Sequence, residues 1–206
     1  MTKTTDGLFR LYLLGGVLAV LAWSVVKPLD RATWLMEAAP VLVALPLLVL
    51  THRRFPLTPL LAGLIALHAV VLLVGAHYTY AEVPPFNWLR DAYGLTRNHY
   101  DRVGHFMQGF VPAIVIRELL LRTSPLKQGK WLFAIIVFCC LGFSALYELS
   151  EWLAAVVMGS AADAFLGTQG DVWDTQWDMF MAGVGALCAL LALGRAHDRK
   201  LNSLGA

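Results

Sequence analysis

Residues 131–158 read WLFAIIVFCCLGFSALYELSEWLAAVVM, an apolar run interrupted only by Ser144, Glu148, Ser150 and Glu151. A helix rising 1.5 Å per residue needs about 20 residues to cross roughly 30 Å of hydrocarbon, and its backbone polar groups must be satisfied within the segment. This stretch is long enough, and its two glutamates lie near one end. Five further stretches qualify, at about 8–26, 34–50, 57–76, 103–121 and 177–194. Between them fall turn-forming clusters such as Lys27-Pro28, Phe55-Pro56, Pro84-Pro85 and Ser124-Pro125. The fold class is therefore all-α: a polytopic bundle of about six transmembrane helices forming one integral membrane domain over 1–206. The first span lacks a small-residue cleavage site and is expected to stay as an anchor.

Composition agrees. The 206 residues are 58% hydrophobic and only 15% charged, with mean hydropathy +0.64, whereas soluble domains carry about 25% charged residues. Disordered, collagen-like and disulfide-stapled classes are excluded. Cys139, Cys140 and Cys188 sit in apolar runs without ligand spacing and read as small buried residues. A net charge of +2 gives no reason to expect nucleic acid. That total hides an asymmetry. With six spans, one side receives eleven Lys and Arg and the other five. Basic loops stay in the cytoplasm, so both termini are expected there. The outer side then carries the two longest connections, 77–102 and 159–176, and long loops in compact proteins are usually functional.

The polar residues inside the spans fall at one depth. His105 is 17 residues from Arg122, Glu148 is 18 from Lys130, Asp178 is 17 from Arg195 and Glu37 is 16 from Arg53. At helical rise, four helices place an ionisable group about 24–27 Å from the inner boundary. Helical spacing also aligns their neighbours. Asp101, His105 and Gln108 share a face, as do Ser144, Glu148 and Glu151; Asp171, Asp174 and Asp178 do so if the last helix begins near Gly170. Facing lipid, such groups cost several kcal/mol, so they are expected to face one another across an outward-opening vestibule.

Several carboxylates in one apolar setting need a cation, a shared proton or an arginine. Glu151, Asp171, Asp174 and Asp178 are the candidate metal ligands. Oxygen donors suit Mg²⁺, Ca²⁺ or Mn²⁺, and adding His admits Zn²⁺. The alternative is acid–base chemistry by His105, oriented by Asp101 and working with Glu148; these three are the candidate catalytic residues. Arg97, Arg102, Gln108 and Ser144 are the candidate substrate-binding groups, although the arginines could equally balance the acids.

The motifs Asp101-Arg-Val-Gly-His105, Tyr147-Glu148-Leu-Ser-Glu151-Trp152 and Gly167-Thr-Gln-Gly-Asp171-Val-Trp-Asp174-Thr-Gln-Trp-Asp178 resemble those of the YjdF-like bacterial inner-membrane proteins, across nearly the whole chain. That resemblance implies a multi-pass inner-membrane protein and supplies no reaction. More distantly, Asp101, Arg102, His105, Glu148 and Asp178 follow the motif order of the VanZ-like proteins, which are associated with glycopeptide resistance at the envelope. Where those proteins usually carry an Asn after the last Asp, this chain has Met181 and Ala182.

Simpler roles compete for the same residues. The cluster could be a polar core that fixes helix packing, and Asp171 and Asp174 could charge the start of the last helix. His68 reads as a satisfied core group, Arg117 as a snorkelling side chain and Glu118 as the helical partner of Arg122. Ala182, Gly183 and Gly185 read as a close helix contact. The favoured expectation is an envelope hydrolase or transferase acting on membrane lipids or a lipid-linked envelope precursor. The alternatives are an ion- or proton-coupled transporter and a noncatalytic envelope-binding or accessory protein.

Overall fold

The computed structural model describes residues 3–159 and 163–204. In chain order the helices are α1 (Lys3–Ser24), α2 (Arg31–Thr51), α3 (Pro59–Tyr78), a 3-10 turn (Tyr80–Glu82), α4 (Pro84–Tyr93), α5 (Tyr100–Thr123), α6 (Lys130–Met158), α7 (Asp163–Leu166) and α8 (Asp174–Ser203). No strand occurs among the described residues. Five helices, α1, α2, α3, α6 and α8, are long and apolar enough to cross a membrane. The sixth expected span is α5. At 24 residues it has the length, but five charged residues set it apart in composition. Asp101, Arg117 and Glu118 among them are buried, so α5 spends its charges on protein partners rather than on lipid.

Local signals set the helix starts and stops. The Asp30 carboxylate accepts from the Thr33 N–H at 2.7 Å and caps α2, and those contacts hold its pKa below the usual value. Thr58 caps α3, with Pro59 at the first helical position. Gly94, at φ 62°, closes α4 in the left-handed conformation, its N–H bonded to the Arg90 carbonyl. The outer connection expected over 77–102 thus contains the 3-10 turn and α4. α8 runs to Ser203, nine residues beyond the expected end at Gly194.

The most extensive packing is between α5 and α8, with α6 against both. α3 packs on α5 and, by its other side, on α1 and α2. Two apolar cores follow. Leu61, Ala113, Ile114, Leu132, Ile136, Cys140, Ala186 and Ala189 form one; Val17, Ala38, Val41, Ala69, Leu73 and Ala76 form the other. The small-residue contact expected near Ala182 is the α5–α8 crossing. A Cβ on Gly109 would collide with the Ala182 carbonyl, and one on Gly185 with the Phe106 carbonyl. Gly183 lies beside this seam, facing Leu141. Among the cysteines only Cys140 is fully buried; Cys139 is half-buried and Cys188 exposed. Trp88, Trp152, Trp173 and Trp177 are exposed, and Trp23 lies tilted against His77 with ring centroids 4.2 Å apart.

The start of α1 and the end of α8 lie at the same end of the bundle. There Arg10 donates to the Leu57 carbonyl, and Glu118 ties three helices together. Its carboxylate accepts from the Thr58 N–H (3.0 Å) and hydroxyl (2.7 Å), from Arg122 (2.8 Å) and from His197 Nε2 (2.9 Å). His197 Nδ1 accepts from Arg117 at 2.9 Å, which leaves the ring proton on Nε2, because arginine has no acceptor. Arg117 also meets Asp198 at 2.5 Å, and Gln128 donates to Asp198 at 2.9 Å. Arg117 therefore does not snorkel: its guanidinium is buried and paired on both sides.

Candidate functional site

At the opposite end, Arg97 and Arg102 flank the start of α5. Arg97 pairs with Asp174, with Asp101 and Asp171 at 3.4 Å each, and with the Gly167 carbonyl at 3.3 Å. Arg102 pairs with Asp178, with Asp174 at 2.7 Å and with Asp171 at 3.1 Å. The segment carrying these acids is held by a reciprocal contact: Gln169 accepts from the Asn98 N–H at 2.8 Å and donates to the Asn98 carbonyl at 2.9 Å. Asn98 itself is fully buried. Asp171 accepts from the Trp173 N–H, and this bond, with Arg102 and Arg97 beside it, holds its pKa below the usual carboxylate value. His99, partly buried and close to the same arginines, has its pKa lowered and is neutral near pH 7.

His105 sits one turn deeper. Its Nδ1 donates to Gln108 Oε1 at 3.0 Å, while Nε2 lies 3.4 Å from Asp101 and 3.8 Å from Asp178. Glu148 approaches Nδ1 at 3.8 Å, and Tyr147 stands edge-on to the ring. With Nδ1 donating, a neutral imidazole would turn its Nε2 lone pair towards two carboxylates. A proton or a cation must therefore lie between them. Counting charges leads to the same requirement. Asp101, Asp171, Asp174, Asp178 and Glu148 face two guanidinium groups, so the cluster keeps a formal excess of three negative charges.

Asp101, His105 and Asp178 each present a donor atom within 4.8 Å of the others, which suits a metal ion. This trio differs from the expected ligand set. Asp178, itself paired with Arg102, is common to both; Asp171 and Asp174 are engaged by the arginines and lie outside the trio, and Glu151 lines a cavity instead. Arg97 and Arg102, expected as substrate binders, are held by aspartates on α8 and its lead-in. Ser144 Oγ and Glu148 Oε1 are buried without a hydrogen-bond partner.

The cavity, of about 540 Å³, runs along α5 from Asp101 and His105 past Pro112 to Leu119. α2 and α3 form one wall with Glu37, Pro40, His68 and Leu72; α6 forms the other with Phe143, Leu146, Tyr147, Ser150 and Glu151. Phe143 and Leu146 are 56% and 63% exposed, so the groove has an opening to the side, between α2 and α6. Two of its groups carry more weight than sequence reasoning gave them. Glu37 is 2% exposed with Oε2 unpartnered, and His68, expected to be satisfied, has a buried Nε2 with no partner. Their coplanarity with the site was readable for Glu37; their convergence on α5 was not.

An all-helical bundle with five spans and a charged central helix defines a multi-pass membrane protein. The family model described as "Predicted membrane protein (DUF2238)" matches residues 9–199, and the chain belongs to that family. It is 51% identical over 187 residues to "Inner membrane protein YjdF" of Escherichia coli (strain K12), covering 90% of this chain and 89% of that one. The resemblance to YjdF-like proteins is thereby borne out, and the chain is an inner-membrane protein. The VanZ-like resemblance stays a matter of motif order. No solved structure matches.

Proposed function

We propose that this protein is an inner-membrane hydrolase or group transferase acting on a lipid or lipid-linked envelope substrate, with His105 as the proton-transfer group. The observation that carries the reading is the position of His105. It lies at the polar end of a sideways-opening apolar groove, with Nε2 facing Asp101 and Asp178. An amphiphile entering from the bilayer would bring its polar portion to that ring. Basic residues concentrated at the Glu118 end support a cytoplasmic position for that end and a periplasmic one for His105.

The Asp101 and Asp178 carboxylates would hold a divalent cation, leaving His105 Nε2 to take the proton; when bound, the cation would polarise the scissile group and offset most of the acidic excess. Gln108 fixes the imidazole through Nδ1, and Arg97 and Arg102 hold the aspartates in place. In hydrolysis, an O–H bond of water breaks as its oxygen bonds to the electrophilic carbon or phosphorus. The bond to the leaving oxygen breaks, and that oxygen takes up the proton that the imidazole or a facing carboxylate received.

The test combines metal analysis of purified protein with turnover of an inner-membrane lipid extract, repeated with His105→Ala and Asp178→Asn. Stoichiometric metal lost in Asp178→Asn, and turnover lost in both variants, support the reading. Metal-free wild type without turnover of any lipid would sink it. A reporter active only in the periplasm, fused after Ala206, is expected to be silent.

A second reading has one observation in its favour. His68 carries an unpartnered Nε2 in the groove, nearer the middle of the bundle than His105, as a step in an ion-coupled transport path would. Proton uptake on addition of substrate to proteoliposomes, lost in His68→Leu, would favour transport over turnover.

A further inference from the structure

We propose that the groove between α2 and α6 takes one hydrocarbon chain of a membrane amphiphile with a cationic amine head, the amine meeting Glu37. The proposal rests on the lipid-directed reading of the His105 site and names the substrate class. Four observations converge on it.

The first is the way in. The groove is lined on both sides, yet α2 and α6 share no extensive packing, and the α6 wall presents Phe143 and Leu146 to the exterior. A chain can therefore slide in from lipid without crossing water. The second is length. From His105 to Leu119, α5 advances about 21 Å, against about 15 Å for the hydrocarbon of one leaflet. Pro112, Val115, Ile116 and Leu119 form an apolar floor over the half of that distance farther from His105.

The third is charge. Glu37, Asp101 and Glu151 all line the polar end, whereas Arg97 and Arg102 do not line it at all, being held by aspartates elsewhere. Unless it reached the cation proposed at Asp101 and Asp178, an anionic head would meet only carboxylates at Glu37 and Glu151. Glu37 is 2% exposed and its Oε2 has no partner, so one strong acceptor is already desolvated and waiting for a donor. The fourth is the balance of donors and acceptors. Pro40 and Pro112 line the groove and have no N–H to give the carbonyls of Met36 and Gln108 one turn earlier. A primary amine brings three donors to a surface rich in acceptors.

The test uses the full-length protein in neutral phosphatidylcholine nanodiscs. Three photoreactive probes share one hexadecyl chain and differ in their head: primary amine, alcohol or phosphate. The amine is expected to label Pro112–Leu119 of α5 and Phe143–Leu146 of α6, exceeding the alcohol by about tenfold or more, as a desolvated ion pair would give. Glu37→Gln should remove that preference while keeping the labelled positions. Ile116→Trp should abolish groove labelling by all three probes, and thermal unfolding confirms that each variant is folded. Equal or stronger labelling by the phosphate overturns the proposal, as does label spread evenly over lipid-exposed Leu11, Val43 and Leu191. His105→Ala separates this from the reaction. Amine labelling that survives in His105→Ala, with wild type turning over no lipid, would retire the enzyme reading and leave the binding site. Turnover with no groove labelling would do the opposite.

Discussion

The two ends of the bundle handle buried charge in opposite ways. Around Glu118, both carboxylate oxygens are filled by Thr58, Arg122 and His197, and Arg117 is shared between His197 and Asp198. Around His105, acids outnumber arginines, and Ser144, Glu148 and Glu37 each keep a buried atom without a partner. Both clusters join α5 to α8, so holding those helices together does not require an unsatisfied site. A network that locks structure is completed; one that awaits a ligand is left open. The difference is why we propose the His105 end as the functional one.

Breaking the completed network should have the largest effect. Glu118→Ala leaves Arg122, His197 and Thr58 without their acceptor, and thermal unfolding in detergent should show a loss of about 3–5 kcal/mol. A loss no greater than that of an exposed substitution would erase the contrast between the ends. Next comes the seam between them. Gly185→Leu drives a side chain into the Phe106 carbonyl and should cost about 1–3 kcal/mol or more, by the same measurement. Ser144→Ala should change stability by no more than about 1 kcal/mol, because the hydroxyl it removes has no partner. Marked destabilisation there would mean that the open end is structural too.

The smallest effect concerns pH. Asp171 has its pKa lowered on folding, so its contribution to stability is fully present above the unfolded carboxylate value of about 3.8. It is lost as pH falls through the lower, folded value. Hydrogen exchange at the Trp173 amide should accelerate, relative to the intrinsic rate, below that range in wild type. In Asp171→Asn the amide should be less protected at neutral pH and show no such step.

Much of this was legible because periodicity and depth are properties of single helices. His105, Glu148 and Asp178 could be placed at one level and on inward faces from spacing alone, and the structure brings them within 4 Å of one another through His105. Choice of partner was not legible. Spacing puts Asp171, Asp174 and Asp178 on a common face but does not say that Arg97 and Arg102 clasp them, since that depends on how the 77–102 connection folds back over α8. His197 was missed for a different reason. Hydropathy ends the last span at Gly194, whereas α8 continues as a helix because Glu118 and Arg117 supply partners for its polar extension. Glu37 and His68 belong to helices whose approach to α5 is set by α3 packing, which no local pattern encodes.

The glycine seam between α5 and α8 has a mechanical consequence. With backbone against backbone at Gly109 and Gly185, neither helix can roll or slide without steric collision, so the pair behaves as a stator for the whole domain. Any widening of the groove to admit a chain must then come from its other walls, α6 or α2 with α3. Traffic through the groove would be throttled by a covalent staple from α2 to α6 and indifferent to one from α5 to α8.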